Sequence, residues 1–188
     1  MNEFAPQFDY ESHDESYDFH GPQNEMGYEV AERVLKEIQG MQTADQEALE
    51  HHAAALLDRL NDNPELTHED AVGATVVSAY IRGVTTEPAT RRLAGDIITS
   101  TGILNEEEIH EFVRVEASVA DAVSVRDWQD AAVTGSYGLG RLDRLEQRPH
   151  GLMLAMAANM TGLLRHDPNR ADNHFHDKLN EMVLDKRG

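Results

Sequence analysis

The chain has 188 residues, a formal net charge of −19 and no cysteine, which excludes thiol nucleophiles, disulfides and thiolate metal sites at once. Its length suits one domain built around one hydrophobic core. The longest mostly apolar run, 151–164, is shorter than the roughly 20 residues of a spanning helix and is interrupted by Asn159 and Thr161, so no membrane span is expected.

The charge is uneven. Residues 1–80 hold 18 acids against the three bases Arg33, Lys36 and Arg59, a balance of −15, whereas residues 81–188 hold 17 acids against 13 bases, a balance of −4. Such a field repels nucleic acid and anionic lipid and favours partners with a basic surface. The start, Met1-Asn2-Glu3-Phe4-Ala5-Pro6, has neither a cationic end nor an apolar core, so no secretory signal is expected and the cytoplasm is the default compartment. Arg outnumbers Lys among the bases; together with the acid excess, this also fits a salt-rich cytoplasm in which surface carboxylates are screened.

In chain order, residues 1–23 carry Phe4, Phe8, Tyr10, Tyr17 and Phe19 among six acids and no Lys or Arg. With few aliphatic residues and with Pro6, Gly21 and Pro22, this segment is expected to be disordered in isolation. From Asn24 a helical period sets in, with Met26, Val30, Val34, Ile38 and Met41 three to four apart. Thr43 and Gln46 form a capping box ahead of Leu49, Ala53, Leu56, Leu57 and Leu60, and Asn61-Asp62-Asn63-Pro64 stops that helix. Thr67 with Asp70 caps a third, more apolar helix through Val84, which places it at the core.

Pro88 suits the first turn of the next helix, which runs through Leu93, Ile97 and Ile98 to a Gly102 stop. Asn105 then caps a helix opening on Glu106-Glu107-Glu108, where carboxylates meet the positive end of the dipole. The apolar spacing from Ile109 onward allows one long helix to Gly135, or two if Ser124 with Asp127 recaps it. Gly135, Gly138 and Gly140 read as a hinge before a short helix with Leu139, Leu142 and Leu145 on one side. Met153, Met156, Met160, Leu163 and Leu164 stripe the next helix, and Phe175, Leu179, Met182 and Val183 the last. No strand-like alternation appears, so the expected fold is all-α: a globular helical bundle of about seven to nine helices over 24–188, behind the acidic tail 1–23.

The tail is the first candidate for function. Aromatics along a flexible acidic chain can enter apolar pockets while carboxylates steer toward a basic rim, so Phe4, Phe8, Tyr10, Tyr17 and Phe19 point to a protein partner with a basic, apolar surface. The alternative is that they pack back on the chain's own helices. Arg141, Arg144 and Arg148, at i, i+3 and i+7, make a row that can hold phosphates or the acidic tail itself, or be a solvated face paired with Asp143 and Glu146.

A divalent metal is the third candidate. Glu47 and His51 are four apart on one helix, and Glu107, His110 and Glu111 stand at i, i+3 and i+4 on another, resembling half of a carboxylate-bridged site in a bundle. A bundle of that kind asks for two Glu-x-x-His pairs, and only Glu107/His110 lies inside a helix. A loop-plus-helix cluster of His166, Asp167, Asp172, His174, His176 and Asp177 is an alternative, or simply a hydrated terminal helix. The run Gly135 to Gly140 lacks the Lys-Ser/Thr of a phosphate loop, and Ser136 is in no nucleophile elbow. The Met stripe reads as core filling.

These residues favour a non-enzymatic interaction or regulatory protein that docks a partner through its tail, with the helical domain as scaffold and as a possible homo-oligomer surface. The alternatives are a metal-dependent enzyme at the Glu/His residues and an anionic mimic of nucleic acid that occupies the basic channel of a DNA- or RNA-binding protein. Direct nucleic-acid binding is disfavoured by the charge.

Overall fold

A computed structural model describes residues 46–167, apart from 63, 64, 66 and 148. Within them the chain forms six helices and no strand: α1 Gln46–Asp62, α2 His68–Val84, α3 Pro88–Thr101, α4 Glu106–Ser124, α5 Trp128–Asp143 and α6 His150–Leu164. The expected all-α class holds. The helices expected over 24–41 and beyond 168 lie outside the described residues. No helix among the described residues is long and apolar enough to cross a membrane.

The helix ends follow local chemistry. The Thr67 side chain accepts from the Asp70 N–H at 3.1 Å and starts α2. Pro88 stands in the first turn of α3, and Gly102, at φ +73°, ends it in the left-handed conformation that costs glycine least. At α4 the capping box is complete, with Asn105 Oδ1 accepting from Glu108 N–H at 2.8 Å and Glu108 Oε1 accepting from Asn105 N–H at 2.9 Å. Gln46 is the first described residue of α1, and its Oε1 accepts from Thr85 Oγ1 and from the Thr86 N–H, both at 2.9 Å, which ties this part of α1 to the end of α2.

Of the two readings open for the run from Ile109 the structure takes the second, with a different cap residue, and the glycine hinge is corrected. The long run from Ile109 is two helices, and the second is capped by Asp127, whose Oδ1 accepts from Asp130 N–H at 3.0 Å; the Ser124 hydroxyl instead donates back to Asp121 O. The break is a Schellman turn. Asp127 N–H reaches Ala122 O and Arg126 N–H reaches Val123 O, each at 2.9 Å, with Arg126 at φ +61° in the position glycine normally takes. The glycines 135, 138 and 140 are no hinge either: they lie inside α5. Gly138 is where α5 presses closest, since a Cβ there would stand 3.2 Å from a Val115 methyl and 3.4 Å from the Met156 methyl.

Burial sets the architecture. Every residue of α6 from Leu152 to Leu164 is buried, as its lack of a polar face requires. It packs on α2 on one side and on α4 and α5 on the other, while α3 lies along α2 and α1 lies mainly on α3. The α2–α6 crossing is tight: a Cβ on Gly83 would come 2.2 Å from Asn159 O, and one on Gly162 would come 2.5 Å from Tyr80 O. Met153, Met156 and Met160 are all core, as the stripe suggested.

Candidate functional site

The candidate metal residues divide between two places. Glu47 and His51 are exposed on α1, where the His51 ring meets His52 edge-on at 6.3 Å. Glu107 and His110 are exposed near the start of α4, a helix packed on α5 and α6. Glu111 is held between two guanidinium groups: Arg114 Nη2 donates to its Oε2 at 2.8 Å, and Arg141 reaches the same oxygen across the α4–α5 interface. Such charge-assisted pairing satisfies a carboxylate without a metal. Among the described residues no three His, Asp or Glu side chains come together as a metal site needs.

The arginine row also resolves differently from a single helix face. α5 ends at Asp143, so Arg141 stands in its last turn and Arg144 caps its end, exposed. Arg148 lies outside the described residues, as do Phe4, Phe8, Tyr10, Tyr17 and Phe19. Of the C-terminal His/Asp cluster, only His166 and Asp167 are described.

A well-connected polar group among the described residues is one that periodicity does not reveal. Glu116 on α4 is 8 % exposed and accepts from Arg82 Nε at 2.9 Å (Oε1) and 2.8 Å (Oε2). Asn159 of α6, 1 % exposed, donates to Glu116 Oε2 at 2.9 Å and to Ala79 O at 3.1 Å. Arg82 also donates from Nη1 to Arg91 O at 3.1 Å, and Gly95 makes room for that guanidinium, because a Cβ there would stand 2.7 Å from Nη1. A buried carboxylate satisfied on both oxygens is a structural anion, worth most where its partners are fixed.

A second cationic group gathers at the C-terminal end of α2. Arg91 Nη2 donates to Thr85 O at 3.0 Å, and His166 hydrogen-bonds the backbone of Gly83 and Val84. Arg165 Nη1 donates to Tyr80 Oη at 2.6 Å. The Arg91 and His166 bonds satisfy backbone groups that a helix end leaves open, the Arg165 bond goes to a phenol oxygen, and the two guanidinium groups set positive charge at the helix's negative pole. Burial, aided by the charges of Arg91 and Arg165, holds His166 below the usual histidine range despite its backbone bonds. Partial desolvation lowers His68 as well, although its side chain keeps much of its contact with solvent.

The outer face of α5 is different in kind. Val133 is 59 % exposed and Tyr137 is 68 % exposed, one turn apart, and a Cβ on Gly140 would meet Arg144 Nη1 at an ordinary 3.7 Å. Arg141 and Arg144 follow at the same end of the helix. No protein-family model, curated protein or solved structure matches the chain.

Proposed function

We propose that this chain is a non-enzymatic helical interaction protein, which captures a protein partner with a basic, apolar surface through its acidic-aromatic segment 1–23. The observation that carries this reading is the make-up of that segment: five aromatic residues among six acids, with no Lys or Arg. Aromatic rings bring large apolar area for little rotamer entropy, while the carboxylates speed encounter with a cationic surface and reject an anionic one. The helical domain supports the reading as a scaffold. Its buried carboxylate Glu116 is committed to Arg82 and Asn159, and Glu111 is committed to Arg114 and Arg141, so both carboxylates work in holding helices together.

The test is affinity capture from native lysate with the full chain and with a Phe4→Ala/Phe8→Ala/Tyr10→Ala variant, metal content being read on the same samples. A partner retained by the parent and lost from the variant supports the proposal. Equal retention of every protein by both chains overturns it, and stoichiometric metal would transfer the reading to the Glu/His enzyme. Neutralising Asp14 and Glu15 should weaken capture less than removing the three rings.

A further inference from the structure

The turn that follows α6 is tied to the end of α2 by side chains. Its own backbone closes it loosely: Arg165 N–H is shared between Thr161 O and Gly162 O at 3.2 Å each, and His166 N–H reaches Leu163 O at 3.4 Å, while Asp167 N–H is closer to Leu164 O, at 3.0 Å. The side-chain ties add to these. Arg165 Nη1 donates to Tyr80 Oη at 2.6 Å, the His166 ring hydrogen-bonds the backbone of Gly83 and Val84 in the last turn of α2, and Asp167 is buried. Arg91 of α3 reaches the same end of α2 through Thr85 O, and Gln46 of α1 reaches it through Thr85 Oγ1 and the Thr86 N–H. Two helices far apart in sequence are therefore clasped at one point, and among these groups the histidine alone changes charge near neutral pH.

We propose that His166 is a proton-operated clasp: the neutral ring holds the turn 165–167 on the end of α2, and its protonation in mildly acidic solution loosens that turn while α2, α4 and α6 stay packed. The charges around the ring set the direction. Arg91 from α3 and Arg165 from the turn itself both oppose a third positive charge. Arg82 of α2 reaches Arg91 O but is paired with Glu116 of α4, α1 brings the neutral Gln46, and the end of α6, Thr161 to Leu164, is uncharged. Glu87 at the start of α3 and the buried Asp167 are the acids closest along the chain. Backbone contacts at the negative pole of α2 favour the charged ring, yet half-burial outweighs them, so the surroundings as a whole keep His166 neutral. The clasp is thus fully engaged above about pH 6.5 and weakens as pH falls from there toward the folded value. The turn gives way before the core because opening it frees three polar residues, whereas parting α2 from α6 would strip Asn159 from Ala79 O and expose the apolar surface of α6. The device involves no partner and does not rest on the proposed function.

The test is amide hydrogen exchange on the full-length chain, read residue by residue by NMR between about pH 7.5 and pH 5.5 and corrected for the intrinsic dependence of exchange on pH. Protection of the Arg165, His166 and Asp167 amides should fall several-fold on acidification, with a midpoint that matches the titration of the His166 ring followed on the same samples. Protection at Asn159, in the middle of α6, should change much less. His166→Gln keeps a side-chain donor without the titration, so whatever its starting protection, its profile over this range should be flat; His68→Gln should leave the loss in place. Protection that ignores pH, a loss shared equally by Asn159, a loss that persists in His166→Gln, or one abolished by His68→Gln would each overturn the proposal. No partner takes part in this experiment, so its failure is distinct from failed capture by the aromatic variant.

Discussion

Asn159 and Glu116 show how a single polar residue can organise an apolar interior. In the sequence Asn159 only interrupts a run of Met, Ala and Leu; in the fold it joins three helices, donating to Ala79 O on α2 and to Glu116 on α4 from the middle of α6. Replacing Asn159 with Leu leaves Ala79 O without this donor and removes one of Glu116's partners, so chemical denaturation should show a loss of about 2–3 kcal/mol. Glu116→Leu should cost about 3 kcal/mol or more by leaving the Arg82 guanidinium uncompensated, and Arg82→Met on that background should recover part of it, since removing a whole buried pair is gentler than removing half. Two of the described histidines contribute to the acid side of the stability profile, His166 more than the partly exposed His68. Both His68 and His166 are held below the ordinary histidine range by burial. Folding therefore favours their neutral forms, and their contribution is complete above about pH 6.5 and declines as pH falls from there toward the folded value. The melting temperature should fall between about pH 7 and pH 5.5, and His166→Gln should flatten that slope.

At the scale of the element, the break between α4 and α5 and the glycines of α5 were the hardest features to read. A Schellman turn is visible in sequence when glycine occupies its left-handed position; here Arg126 does, at φ +61°, and an arginine carries no such signal. Arg126→Gly should relieve that conformation and raise stability by about 1 kcal/mol in thermal melts. Glycine meant a hinge in the sequence reading of 135–140, yet a buried glycine inside a helix can instead mark close approach, and only the neighbour decides which. Gly83 and Gly140 make the contrast testable. Gly83→Ala drives a methyl into the backbone of α6 and should cost at least about 3 kcal/mol. Gly140→Ala makes only an ordinary contact, 3.7 Å from Arg144 Nη1, and should gain about 0.5–1 kcal/mol through helix propensity.

Over the whole molecule, a net charge of −19 opposes compaction, and the ion pair that holds the core, Arg82–Glu116, is shielded from salt by burial. Added sodium chloride should therefore raise the melting temperature, relieving surface repulsion more than it weakens that pair. A fall with salt would mean that exposed pairs such as Arg114–Glu111 carry more of the stability than their solvent contact suggests. The all-round apolarity of α6 and the near-complete burial of α2 explain why those two form the centre, with α1 and α3 on one flank and α4 and α5 on the other.

The sequence by itself determined the all-helical class, the capped starts of α2 and α4, the Pro88 start of α3, and the buried helices, because these signals and the hydrophobic period are local and each is written within a few residues. It also carried the chemistry of segment 1–23, which is compositional. Tertiary structure alone decided that Glu116 pairs with Arg82 and Asn159 across 34 and 43 residues, that Glu111 is taken by arginines, and that Gly83 and Gly138 serve packing. Those outcomes depend on which faces meet at each helix crossing, and periodicity along one chain, which marks the buried side of a helix, does not say what lies against it.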